Sequence, residues 1–160
     1  MFDENFLKTL QNRFNYSDEQ LQMFFENPRN LEVLSKYNEL KNTILVLTVV
    51  ESHGCNSKHN VGDQIYFDGA GNILTSYSPE KICSYALNNA LLMIFAANEF
   101  IYSGISPTNI QFKRCSCFDV GISCGGMGQI TLELSAITKA ELEQKQNKAD
   151  KQTYVEGTGV

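Results

Sequence analysis

Residues 43–50 read Thr43-Ile44-Leu45-Val46-Leu47-Thr48-Val49-Val50, a run free of charge, glycine and proline and dominated by β-branched side chains. A segment of this kind is a strand that is apolar toward both faces. Such a strand has to lie in the interior of a sheet with other layers against it. That requirement selects a sheet covered by helices and sets what the rest of the chain must supply.

The remaining elements fit it. Gln64-Ile65-Tyr66-Phe67 follows the turn-forming Gly62-Asp63, and Asp68-Gly69-Ala70-Gly71-Asn72 reads as a turn before Ile73-Leu74. Residues 128–137 alternate, with Ile130, Leu132, Leu134 and Ala136 on one face and Thr131, Glu133 and Ser135 on the other. A further strand is expected over residues 110–117. Ser78-Pro79-Glu80 opens a helix over about residues 82–102, which Gly104 ends. Leu87, Ala90, Leu91, Ile94, Phe95, Asn98 and Ile101 form one face of it. Leu92, Met93 and Ala96 make the opposite side apolar too, so the pattern predicts burial all round.

The first forty residues read as helices. Phe6, Leu7, Leu10 and Phe14 recur at helical spacing behind a cap at Asp3. Ser17-Asp18-Glu19-Gln20 is a capping-box pattern leading into Leu21, Phe24 and Phe25, and Asn27-Pro28 stops that face. A third helix is expected from Asn30, burying Leu31, Leu34 and Tyr37. From Lys139 the chain turns polar, which predicts a short helix and then a disordered tail. The fold expected is α+β. A small sheet of four or five strands packs on a long buried helix, with an N-terminal helical layer. The divisions are an N-terminal helical segment over residues 1–40, an α+β core over 41–138, and a polar C-terminal helix and tail over 139–160.

Composition narrows the function classes. With 42% hydrophobic and 19% charged residues in 160, the chain is neither disordered nor a charged coiled coil. The net charge is −5 and the 13 basic residues are scattered, so no basic stripe exists for nucleic acid or an anionic membrane. The apolar stretch over residues 85–105 is broken by Asn88, Asn89, Asn98 and Glu99, the mark of a core helix rather than a membrane span. Acidic residues near Met1 replace the basic start of a secretory signal, so the cytoplasm is the expected compartment. There, five cysteines, an odd number, are thiols or ligands rather than a disulfide framework.

All five cysteines and both histidines fall between residues 53 and 124. Cys55 follows the long strand beside His53, with His59 nearby. Cys83 lies at the start of the long helix, where unsatisfied N–H groups and the helix dipole favour a thiolate. Cys115 and Cys117 are two apart on a strand and so point to one side. Cys124 opens Cys124-Gly125-Gly126-Met127-Gly128, whose glycines let backbone N–H groups approach a cluster, an anion or another chain. Soft thiolates select zinc or an iron–sulfur cluster over hard cations. The candidate ligands are Cys55, Cys83, Cys117 and Cys124, with Cys115 as substitute and His53 in reserve. Against this stands the ordinary use of cysteine as a small buried hydrophobe, with no metal at all. Asp119-Val120-Gly121 and Val61-Gly62-Asp63 read first as turns. The glycine run lacks the Lys-Ser/Thr of a phosphate loop.

These blocks resemble a small, largely uncharacterised prokaryotic family of cysteine-containing proteins. The resemblance rests on Gly54-Cys55 with Val61-Gly62-Asp63, on Ile82-Cys83 with Ala86-Leu87, and on Cys117-Phe118-Asp119. It spans residues 44–134 and implies that Cys55, Cys83 and Cys117 are the shared set, with Cys115 and Cys124 as additions. It carries no activity to transfer, and residues 1–40 lie outside it.

Three functional readings follow. The first is a soft-metal or iron–sulfur protein in a redox or accessory role, serving a larger enzyme partner. The second is a thiol-dependent enzyme without metal, with Cys83 as nucleophile and Asp119 or His53 as proton acceptor. The third is a non-catalytic oligomeric interaction protein in which the cysteines are structural. Phe14, Phe24, Phe25 and the apolar helix offer more apolar surface than a thin sheet covers, so a homodimer is expected, with residues 1–40 in the contact. Light scattering of the full chain at micromolar concentration should report that dimer, and a monomer would remove the expectation.

Overall fold

A computed structural model describes the backbone of residues 4–156 and the side chains of residues 4–147. The expected cap Asp3 and the last four residues of the expected tail lie outside the described residues. The chain divides into two compact units, Met1–Lys36 and Tyr37–Val160.

The first unit is three helices, α1 (Glu4–Phe14), α2 (Asp18–Glu26) and α3 (Pro28–Ser35). The capping box at the start of α2 is complete. Gln20 N–H donates to Ser17 Oγ at 3.2 Å, and Ser17 N–H donates to Gln20 Oε1 at 2.9 Å. Asn27-Pro28 does more than stop α2. Asn27 Oδ1 accepts from Arg29 N–H at 3.0 Å and Pro28 occupies the first turn, so the pair also starts α3, two residues earlier than the pattern suggests. Leu10 and Leu34 are buried, while Leu31 is exposed. Phe14, Tyr16, Phe24 and Phe25 form a chain of ring contacts with centroids 5.4–6.0 Å apart.

In the second unit, α4 (Tyr37–Asn42) leads into β1 (Thr43–His53), followed by β2 (Gln64–Asp68), α5 (Ser84–Tyr102), β3 (Arg114–Ser116), β4 (Gln129–Thr138) and α6 (Lys139–Glu156). Helices and an antiparallel sheet of order β2-β1-β4-β3 make the fold α+β. β1 is the two-faced strand. Leu45, Leu47 and Val49 join Ile65, Phe67, Leu132 and Leu134 in the cluster that also holds Ala86, Ala90, Ile94 and Ala97 of α5. Ile44 and Val46 join Tyr66 and Leu142 of α6 in a second cluster.

Three expectations change. The third strand is three residues long, because Ile110 packs on the core while Phe112 is 81% exposed, and a continuous strand would put both on one face. The C-terminal helix is 18 residues rather than short. Helix α5 is buried on one side only. Its buried stripe is Ala86, Ala90, Ile94, Ala97 and Ile101, whereas Leu91, Leu92 and Phe95 are exposed. Three alanines let the helix lie close to the sheet, and the bulkier side chains cannot enter that narrow gap. Among the described residues no helix is long and apolar enough to cross a membrane.

The close approach makes a testable asymmetry. Ala90→Leu, at a fully buried position, should cost about 1–3 kcal/mol through overpacking, while Leu92→Ala should change stability by less than about 0.5 kcal/mol. Denaturant unfolding of both variants measures the difference, and equal effects would contradict this packing of α5.

Candidate functional site: a pocket lined by three cysteines

Three elements end around one cavity of about 340 Å³, lined by Cys55, Cys83 and Cys117 together with Ser57, Tyr85, Asp119 and Met127. Cys55 arrives from β1. Past His53 the chain turns at Gly54 and folds into a loop closed by Lys58 N–H donating to Cys55 O at 3.0 Å. The loop returns to the sheet where Gly62 N–H donates to Val49 O at 2.8 Å. Asp63 Oδ2 accepts from Asn60 N–H at 2.9 Å, so its turn role is met.

Cys83 is the N-cap residue of α5. Its carbonyl accepts from Ala86 and Leu87, which starts the helix. No helix N–H makes a full capping bond to its sulfur. Partial burial pushes the Cys83 thiol up, but the Ser57 hydroxyl and the nearby N–H groups of Ala86 and Tyr85 outweigh it, and the net shift is downward. The backbone N–H of Cys83 is held by His59, whose Nε2 accepts it at 3.3 Å. His59 is 3% exposed, and its Nδ1 lies 3.7 Å from Asp63 Oδ2. Bonded to Cys83 on one side and facing Asp63 on the other, His59 is a brace between the loop and the helix start.

Cys117 follows β3 and is held by its neighbours. Asn89 Nδ2 donates to Ser116 O at 2.9 Å, and Phe118 N–H donates to Tyr85 O at 3.2 Å. Its Sγ accepts from Ile130 N–H at 3.4 Å and donates toward Asp119 O at 3.5 Å. Cys115 packs on the core without lining the pocket, and burial, then the neighbouring Cys117, push its thiol up. Cys124 is exposed in a short helical turn and His53 is exposed at the end of β1; neither lines the pocket.

The glycine-rich loop does surround an anion, and the anion is Asp119. Its Oδ1 accepts from Gly121 N–H at 3.1 Å and Met127 N–H at 3.0 Å, and its Oδ2 from Gly128 N–H at 2.9 Å. A Cβ on Gly126 would strike the Asp119 carboxylate and one on Gly128 would strike the Gly54 carbonyl, so both positions admit only glycine. The N–H groups of Gly128 and Gly121, then Met127, hold the Asp119 carboxyl below its ordinary range against a smaller opposing effect of burial. With both oxygens occupied, Asp119 shapes the pocket wall.

All five cysteines are unpaired thiols. Among the described residues no three His, Cys, Asp or Glu side chains are gathered closely enough to hold a metal ion together. No family model, curated protein or solved structure matches the chain.

The lowered pKa of Asp119 gives its effect on stability a definite sign. The contribution it makes to stability is complete above its unfolded value of about 3.9 and is lost as pH falls through the lower folded value. Asp119→Asn should remove that acid-side decline from a pH series of unfolding experiments. A variant with an unchanged series would show that the carboxylate does not hold the loop.

Proposed function

We propose that the protein acts through the thiol of Cys83, as a thiol-dependent site that takes a small thiol-reactive substrate into the three-cysteine pocket. One observation carries the reading. Cys83 lies at the N-terminus of a 19-residue helix, beside a cavity, with its thiol shifted toward the thiolate. The thiolate is the nucleophilic form. In the reaction, the Cys83 sulfur forms a bond to the substrate's electrophilic atom, and the group displaced leaves with the bonding electron pair. His59 keeps the helix start in place, and Ser57 stabilises the sulfur's charge. Neither Asp119, whose carboxylate is saturated, nor exposed His53 is needed to take the proton, because a thiol with a lowered pKa gives it to solvent.

A second reading is favoured by a separate observation. Three thiols from three elements line one pocket, and one of them, Cys117, accepts an N–H bond of the kind that stabilises a metal-bound thiolate. A zinc ion or an iron–sulfur cluster would take Cys55, Cys83 and Cys117, and binding would have to draw the three sulfurs together. Cys115 and Cys124 stand outside that set.

The two readings separate in one preparation. Full-length protein purified anaerobically without chelators should carry no stoichiometric metal. It should then react with limiting iodoacetamide at neutral pH first at Cys83, about tenfold faster than at Cys115. Uniform slow labelling overturns the thiol reading. Stoichiometric zinc, or a brown cluster, lost on Cys83→Ser would establish the metal reading in its place.

A further inference from the structure

We propose that Cys117 is the second thiol of a dithiol site, so that Cys83 and Cys117 cycle between a reduced pair and an internal disulfide with a small disulfide as co-reactant. This rests on the Cys83 reading and extends it by naming the partner and the substrate class.

The placement of Cys117 supports it. Both neighbours of Cys117 are tied to α5, Ser116 O through Asn89 Nδ2 at 2.9 Å and Phe118 N–H through Tyr85 O at 3.2 Å. Tyr85 and Asn89 belong to the first two turns of the helix that Cys83 caps. The chain on each side of Cys117 is therefore pinned against the helix start, and both cysteines line the same cavity. Disulfide formation needs two α-carbons held within a few ångströms of a fixed separation, and such pinning favours a pair over a chance neighbour. Cys55 lines the cavity as well, but it is carried by its own loop, which reaches Cys83 through Ser57 and through His59 Nε2 rather than through a bond on either neighbour of Cys55. Cys115 faces the core and does not line the cavity.

The two sulfurs are also prepared differently. Cys117 Sγ donates toward Asp119 O at 3.5 Å and accepts from Ile130 N–H at 3.4 Å, which stabilises charge that develops there. Cys83 is the attacking thiolate and Cys117 the thiol that follows. In the first step the Cys83 sulfur attacks one sulfur of the substrate, a Cys83–substrate disulfide forms, and the other half leaves as a thiolate. In the second, Cys117 attacks the Cys83 sulfur, the internal disulfide forms, and the second half is released. The Cys117 proton leaves with the departing thiol. The protein loses two electrons, and the substrate disulfide gains them as two thiols. A cavity of about 340 Å³ admits a low-molecular-weight disulfide.

The test uses full-length reduced protein and bis(2-hydroxyethyl) disulfide. Samples are quenched in acid, weighed intact by mass spectrometry and mapped as peptides. Wild type should lose two hydrogens and yield a Cys83–Cys117 cross-linked peptide. Cys117→Ser should instead accumulate one mercaptoethanol adduct on Cys83. Cys83→Ser should give neither product at a comparable rate. A wild-type cross-link between Cys83 and Cys55, or a persistent Cys83 adduct without an internal bond, overturns the role of Cys117 while leaving Cys83 as the reactive thiol. Absence in wild type of both an adduct and a cross-link at Cys83 overturns both. Because the wild-type map alone identifies the partner, the answer does not depend on how well any variant folds.

Discussion

Over residues 44–48 strand β1 is paired along both edges and packed on both faces, and this arrangement organises the second unit. Its N–H and C=O groups are satisfied by β2 and β4, while its side chains alternate between two separate apolar clusters. A strand in that position leaves no side for water, so α5 must cover one face and Leu142 of α6 closes the other. The alanines of α5 set how close the first cover lies. The end of β1 then carries the chain into the loop that bears Cys55, and β3, paired to β4, carries it to Cys117. The pocket is assembled where these covers and strand ends meet.

Backbone N–H groups gathered by side-chain acceptors hold the pocket's shape. Asp119 collects the N–H groups of Gly121, Met127 and Gly128, His59 takes the N–H of Cys83, and Ile130 N–H reaches the Cys117 sulfur. Each of these groups would otherwise need water beside a cavity. The result is a fixed wall in which the sulfurs are the reactive atoms, and in which Cys83 has the advantage of the helix start.

Local pattern made much of this readable. The β-branched run, the alternation from Ile130 to Ala136 and the Ser17–Gln20 cap depend on neighbours in sequence, and they lie where those patterns require. The position of Cys83 at a helix start is legible for the same reason. What local pattern does not carry is which face of α5 is covered, since that depends on how closely alanines allow the sheet to approach. Nor does it carry the brace of His59, whose partner is 24 residues away. The glycine run after Cys124 leaves open whether its N–H groups approach a cluster, an anion or another chain, and only the tertiary fold shows them on Asp119, a residue the chain supplies itself. The separation of Cys124 from Cys55, Cys83 and Cys117 is likewise a property of how that loop closes.

On this reading Cys83 is the thiol most easily ionised. Ultraviolet absorbance of the thiolate, followed against pH in wild type and in Cys83→Ser, tests it directly. Wild type should show its first ionisation step below the range of an ordinary thiol, about 8.5, and this step should be missing from Cys83→Ser. A first step that survives the substitution unchanged would contradict it.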